Sequence, residues 1–144
     1  METASQLLDS KGSDIWSVTP DTTVFDALHK MAERNVGAMV VLDGGELVGM
    51  FSERDYARKV ILVGKTSRET LVREVMTEKV ISVRPEQSIS ECMLLMTKNH
   101  IRHLPVCKGD RIAGVVSIGD VVKATIGELE FTVDQLENYI AGGR

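Results

Sequence analysis

The chain has 144 residues, 43% of them hydrophobic and 26% charged, the make-up of one globular domain rather than of a disordered or fibrous chain. A formal charge of −4 argues against the generic phosphate-backbone grip of a nucleic-acid binder. No basic leader precedes an apolar core, and the longest apolar run, Ala38 to Leu42, is far too short for a bilayer; no membrane is expected, and the expected location is the cytoplasm or an equivalent reducing compartment.

In chain order, residues 1–14 read as an N-terminal segment, and Ile15 to Val18 as a short extended stretch stopped by Pro20. Thr23 followed by Asp26 is a capping-box pattern, and Val24, Leu28 and Met31 then recur at helical spacing, with Asp26, Lys30 and Glu33 left for solvent. Val36 to Leu42 and Glu46 to Phe51 are the arms of a hairpin around Asp43-Gly44-Gly45, and a second helix begins near Ser52. Val63-Gly64-Lys65-Thr66-Ser67 breaks that helix, and Arg68 to Met76 is expected to resume it, in a connector too apolar at Leu71, Val72 and Val75 to be a floppy linker.

The whole pattern then repeats 65 residues later: Pro20 with Pro85, Thr23 with Ser88, Asp26 with Glu91, Met31 with Met96, Gly44 with Gly109, Ser52 with Ser117, Asp55 with Asp120. Ile89, Met93 and Met96 mark the helix, Ile101 to Cys107 and Arg111 to Val116 the hairpin, and Lys108-Gly109-Asp110 its turn. Each copy is a β-α-β-β-α unit too small for an independent core, so the two should pack together into one α+β module with pseudo-two-fold symmetry. The expected boundaries are 15–62 for the first copy, 63–79 for the connector, 80–126 for the second copy and 127–144 for a terminal helix ending at Gly142-Gly143. Leu129, Val133, Leu136 and Ile140 share one face of that helix and must be buried against the body or another subunit. Pro105 cannot donate to a ladder, so its strand is expected at an edge or with its N–H side unpaired there, and an open edge is where a ligand can enter.

The sharpest chemical feature is the Ser-x-x-Asp pair at each strand-to-helix junction. One reading is purely structural: Ser52 and Ser117 are N-caps, with Asp55 and Asp120 as their partners. The other starts from the same geometry. A helix N-terminus with a serine hydroxyl suits phosphate, while a carboxylate, which would repel phosphate, suits the ribose diol; together they imply a nucleotide.

Four further signals read as structural. Val63 to Ser67 resembles the end of a phosphate-binding loop but lacks the earlier glycine, Lys59 standing there. His100 and His103 fall at a helix end and on the next strand, without the remaining ligands of a zinc set. Trp16, in register with Ile81, is expected in the core, with base stacking as the lesser alternative. Cys92 and Cys107, the two cysteines, read as small buried hydrophobes. No metal site and no catalytic set is expected.

Gly49-x-x-Ser52-x-x-Asp55, Gly114-x-x-Ser117-x-x-Asp120 and Arg102-His103-Leu104-Pro105-Val106 together resemble a tandem pair of cystathionine β-synthase (CBS) domains, the arrangement called a Bateman module. Phe51 to Lys59 and Asn138 to Gly142 are most similar to small stand-alone bacterial and plant organellar members. The resemblance implies two clefts between the copies and an adenine nucleotide in them: AMP first, then ADP, ATP or NAD(H), and S-adenosylmethionine in some relatives. It implies no catalysis and no catalytic cofactor. It also implies a homodimer, and a regulatory role exerted in trans on a protein that the sequence does not identify; plant members suggest redox enzymes.

Carried over by motif, Asp55 and Asp120 would hold ribose, and Ser52 and Ser117 would sit at phosphate or ribose. Gly37, Ala38, Thr77, Lys79, Val80, Arg102, His103 and Val115 would line base and phosphate. Arg54, Arg58 and Lys59 are either phosphate ligands of the first cleft or a solvated helix face. The second cleft is preferred, because Arg102 and His103 stand where the first copy has Gly37 and Ala38. Two other functions stay open: a nucleotide-using enzyme, disfavoured because no general base is duplicated beside the acid, and a scaffold that only dimerises.

Overall fold

The computed structural model describes residues 2–12 and 14–142. Gly143, at the expected end of the last helix, lies outside the described residues. The chain forms two compact units, one of residues 1–13, 83–106 and 114–144, the other of residues 14–82 and 107–113. Each follows the mixed α+β pattern expected of one repeat.

The second of these units carries the first repeat. Strand β1 (Ser17–Val18) pairs in parallel with β2 (Ala38–Asp43), which pairs antiparallel with β3 (Glu46–Ser52). Between β1 and β2 runs α2 (Val24–Arg34), started by Thr23, whose hydroxyl accepts the Asp26 N–H at 3.1 Å. It ends at Asn35, whose φ of 54° turns the chain back toward β2. Val24, Ala27 and Met31 project from one face of α2 into a core with Val18, Met39, Val41, Phe51, Val60, Val72 and Val75. After β3 come one turn of helix, α3 (Glu53–Tyr56), and a π-helical turn over Ala57–Ile61.

The connector differs from expectation. Helix is confined to α4 (Val72–Val75), because Leu71 is extended and its N–H is held by the Glu74 carboxylate at 2.7 Å, which starts the helix there rather than at Arg68. Val72 and Val75 complete the core, in keeping with a connector that is not floppy.

The other unit repeats the plan with α5 (Ile89–Asn99) and the hairpin β4 (His103–Lys108) and β5 (Arg111–Ser117), whose tip is counted with the second unit. Ser88 caps α5 through the Glu91 N–H at 3.1 Å, and His100 (φ 53°) ends it as Asn35 ends α2. The strand expected around Val83 is reduced to a single parallel bridge to Val106, with the Val83 N–H on the Pro105 carbonyl at 3.0 Å. Pro105 lies on β4 of a two-stranded sheet, the edge setting in which a residue without an N–H is tolerated. The last helix, α6 (Ile118–Gly142), runs 25 residues without a break through residues 126 and 127; the separate terminal helix expected from the sequence is its continuation. Leu129, Val133, Leu136 and Ile140 are exposed on it, so within this chain the body does not cover them.

The N-terminal segment is not an appendage. Helix α1 (Ala4–Lys11) enters the first unit with the same bonds that α4 makes in the second. Glu2 O, Ala4 N and Ser5 N bond Ile89 N, Gln87 O and Pro85 O; Thr70 O, Val72 N and Arg73 N bond Val24 N, Thr22 O and Pro20 O. These partners are 65 residues apart on one side and 68 on the other, so residues 2–11 are the first copy of the segment 70–79.

Trp16 also departs from expectation. It lies just before β1, which begins at Ser17, and is 36% exposed, with the Arg34 guanidinium 4.0 Å above its ring. Cys92 is fully buried and Cys107 partly so, and burial first of all raises both thiols above their ordinary pKa, as suits unreactive packing residues. Among the described residues no helix is long and apolar enough to cross a membrane.

Candidate functional site

Both Ser-x-x-Asp pairs lie where a β-strand becomes a helix, and the structure builds the two junctions alike. In the first repeat the Ser52 hydroxyl accepts the Asp55 N–H at 3.1 Å, and Asp55 Oδ2 accepts the Ser52 N–H at 3.0 Å and the Ser52 O–H at 3.0 Å. In the second, Ser117 Oγ accepts the Asp120 N–H at 3.1 Å and Asp120 Oδ2 accepts the Ser117 N–H at 2.8 Å. The first N–H of each helix is tied to the preceding hairpin: Glu53 N to Gly37 O at 3.0 Å, Ile118 N to Arg102 O at 2.8 Å. Gly37 and Arg102 are thereby fixed beside the serines, and Ala38 is the cross-strand partner of Ser52. The capping arrangement is fully formed at both junctions, with a carboxylate held in place at each.

Asp55 is buried and spends both oxygens. Besides the two bonds to Ser52, its Oδ1 lies 3.3 Å from the Thr77 hydroxyl and 3.1 Å from Lys59 Nζ, which also reaches Val75 O at 3.1 Å. Thr77 is brought there by a bridge to Met50, its N–H and carbonyl both bonded to that residue. The close approach requires Gly49: a methyl at that position would lie 2.7 Å from Met76 Sδ and 3.0 Å from Thr77 O. Gly114 has the same role in the second repeat, where the crowding atom is Leu8 Cδ2 at 2.7 Å.

Asp120 takes its bonds differently. Lys11, from the end of α1, places Nζ 2.5 Å from Asp120 Oδ2 and 2.9 Å from the Val115 carbonyl. Both the Lys11 bond and the Ser117 N–H fall on Oδ2, and the Asp120 side chain is 23% exposed against 11% for Asp55. Burial pushes the Asp120 carboxyl up, but the Lys11 ammonium and the Ser117 N–H and O–H more than offset it and hold it below its ordinary value. An acid depressed in this way adds stability above its ordinary titration range, and the contribution disappears as pH falls through that range and below. In Lys11→Met the Asp120 carboxyl should therefore titrate at higher pH than in the wild type, and acid unfolding should begin at higher pH. Carbon-detected NMR of the aspartate carboxyls reads the midpoint directly, and an unchanged midpoint would mean that Lys11 does not act on Asp120.

Of the residues singled out in the sequence, Ser52, Asp55, Thr77, Lys59, Gly37 and Ala38 gather at the first junction. Ser117, Asp120, Val115 and Arg102 gather at the second, with His103 the first residue of β4. Lys79 and Val80 follow Thr77 on an exposed and half-exposed stretch with no described bond to either carboxylate, and Arg54 is an exposed residue of α3. A cavity of ≈ 330 Å³ opens beside the first junction, lined by Leu28, Met31, Ala32 and Val36 with Asn35, Gly37 and Glu53; Gly37 is the one sequence-selected residue in its wall. Lys11 was missed. Its signal was an alignment of Leu7-Leu8 and Lys11 with Val75-Met76 and Lys79, hidden by the change of offset from 68 to 65 that Gly12-Ser13-Asp14 introduces.

A family model described as CBS domain matches residues 10–62 and 72–127. The mitochondrial CBS domain-containing protein CBSX3 of Arabidopsis thaliana is 45% identical over 98% of this chain and 73% of its own length. The CBS domain-containing protein YhcV of Bacillus subtilis is 31% identical over 96% and 91%. Among solved structures, a protein with CBS domains from Burkholderia ambifaria superposes with a TM-score of 0.84 at 46% identity, covering 88% of this chain and 95% of that one.

Proposed function

The chain belongs to the CBS-domain family, of which it carries two copies, and on that premise we propose that it is a regulatory module that binds an adenine nucleotide. Paired CBS domains are commonly regulatory and ligand-binding. The observation that carries the finer reading is the duplicated junction: serine and helix N-terminus for phosphate, carboxylate for ribose, and a lysine on each carboxylate. AMP is the first expected ligand, followed by ADP, ATP and NAD(H), with S-adenosylmethionine behind them. Asp120 is the better acceptor, since its described bonds crowd one oxygen while those of Asp55 occupy both.

The reading has no catalytic step. Occupancy would shift the balance between conformations, and a partner protein acting in trans would sense that shift. A homodimer fits the same reading, because Leu129, Val133, Leu136 and Ile140 of α6 need cover. The cytoplasm is the expected location, and a mitochondrial relative points to another reducing compartment that would serve equally. The exposed face of α6 also favours a second reading, a dimerisation scaffold without a physiological nucleotide.

Calorimetric titration of nucleotide-stripped protein with AMP, ATP, NADH and S-adenosylmethionine separates the two. The nucleotide reading expects binding that weakens about 10- to 100-fold at the affected site in Asp55→Ala or Asp120→Ala, the worth of a charged hydrogen-bond partner. Folded protein that binds none of the four would leave the scaffold.

A further inference from the structure

We propose that Lys11 is the phosphate-reading residue of the Asp120 site, selecting phosphorylated nucleosides over bare ones. The inference rests on the nucleotide reading above and concerns a residue outside the repeated motif. In the first repeat the carboxylate is neutralised by Lys59, one helical turn beyond Asp55. The second repeat has Ala124 at the matching position, so its own helix brings no such lysine. Helix α1 supplies the charge instead, from the other end of the chain. Two unrelated segments thus each deliver an ammonium to the carboxylate of their repeat, Lys59 to Asp55 Oδ1 and Lys11 to Asp120 Oδ2, which marks the charge as what the site needs.

An ammonium has three N–H donors. Two are spent on Asp120 Oδ2 and the Val115 carbonyl, which fixes Nζ between the strand end and the carboxylate. Among the described residues the third has no partner and can serve a ligand oxygen, and the side chain is one-third exposed, so a ligand can reach it. Ribose on the Asp120 carboxylate would put its 5′ substituent within the reach of this donor and of the N-terminus of α6, where Ser117 caps the helix. Without Lys11 the phosphate would face an uncompensated carboxylate; with it the pair is neutral and offers one charge-assisted bond. A bare nucleoside gains nothing from that bond.

The test compares AMP with adenosine by calorimetry, in protein carrying Asp55→Ala so that the Asp120 site alone reports; if that variant does not fold, the same comparison is made on the two-site isotherm of otherwise wild-type protein. Lys11→Met should weaken AMP by about 10-fold or more and adenosine by less than about 3-fold. Lys11→Arg should restore the preference, which a merely structural role in seating α1 would not require. Equal losses for both ligands, or no loss for either, overturns the proposal, as does loss of AMP preference in Arg102→Met but not in Lys11→Met. If the wild type binds neither AMP nor adenosine, the nucleotide reading falls and this inference with it; if it binds AMP and Lys11→Met keeps the AMP preference, only this inference falls.

Discussion

Phe51→Ala is expected to cost about 3–5 kcal/mol, the largest effect of any single substitution considered for this chain. Phe51 is fully buried, the bulkiest side chain in the core of its unit, and it lies opposite Met39 across the β2–β3 ladder. It belongs to one core cluster with Val24, Ala27 and Met31 of α2 and with the connector residues Val72 and Val75. Truncation to alanine removes the ring from β3, α2 and α4 together, and a close-packed core relaxes only partly into such a hole. The next residue is Ser52, so the strand end that aims the cap would lose its anchor as well. Urea unfolding followed by circular dichroism should show a clear fall in midpoint, and the conservative Phe51→Leu should recover more than half of the loss. A cost below about 1 kcal/mol would mean that the cluster is not packed as described.

Leu8→Ala comes next, at about 2–5 kcal/mol, and it tests whether α1 is an integral part of its unit. Leu8 is buried with Ala4 and Leu7, and its side chain occupies the space that a Cβ on residue 114 would fill. Gly114→Ala alone should cost about 1–3 kcal/mol, since the added methyl meets Leu8 Cδ2 at 2.7 Å. Combined, the two changes should cost less than their sum, because shortening Leu8 vacates the position the new methyl needs. Strict additivity would show that α1 does not seat there. The analogous pair in the other repeat should behave differently. At Gly49 the obstacle includes the Thr77 backbone carbonyl at 3.0 Å, so shortening Met76 will relieve only part of the strain of Gly49→Ala.

Local pattern accounted for much of this molecule. The Thr23 and Ser88 caps, the hairpin turns at Gly44 and Gly109 and the apolar faces of α2 and α5 all form as their residue types demand, because each depends on atoms within a few residues of one another. The repeated Ser-x-x-Asp was legible for the same reason: a cap is a contact between positions three apart. The resemblance to the family was carried by residues of the same kind, the doubled Gly-x-x-Ser-x-x-Asp and the run Arg102 to Val106.

What failed to show in the sequence depended on distance along the chain. Trp16 read as core, but β1 begins only at Ser17, and the indole before it stays partly exposed under the Arg34 guanidinium. The boundary expected between residues 126 and 127 falls at Gly127, yet α6 runs through that glycine to Gly142. Helix α1 read only as an N-terminal segment, because its kinship with 70–79 is carried mostly by backbone bonds, which leave little trace in side-chain identity. Lys11 shows the limit best. The sequence alone determined that each repeat presents a serine and an acid at a helix start, since capping is local chemistry. Only the tertiary structure decided which cation faces each acid: Lys59 from one turn away, but Lys11 from more than a hundred positions upstream of Asp120. An ion pair is set by where two chain segments meet in space, and no spacing rule within a segment encodes that meeting.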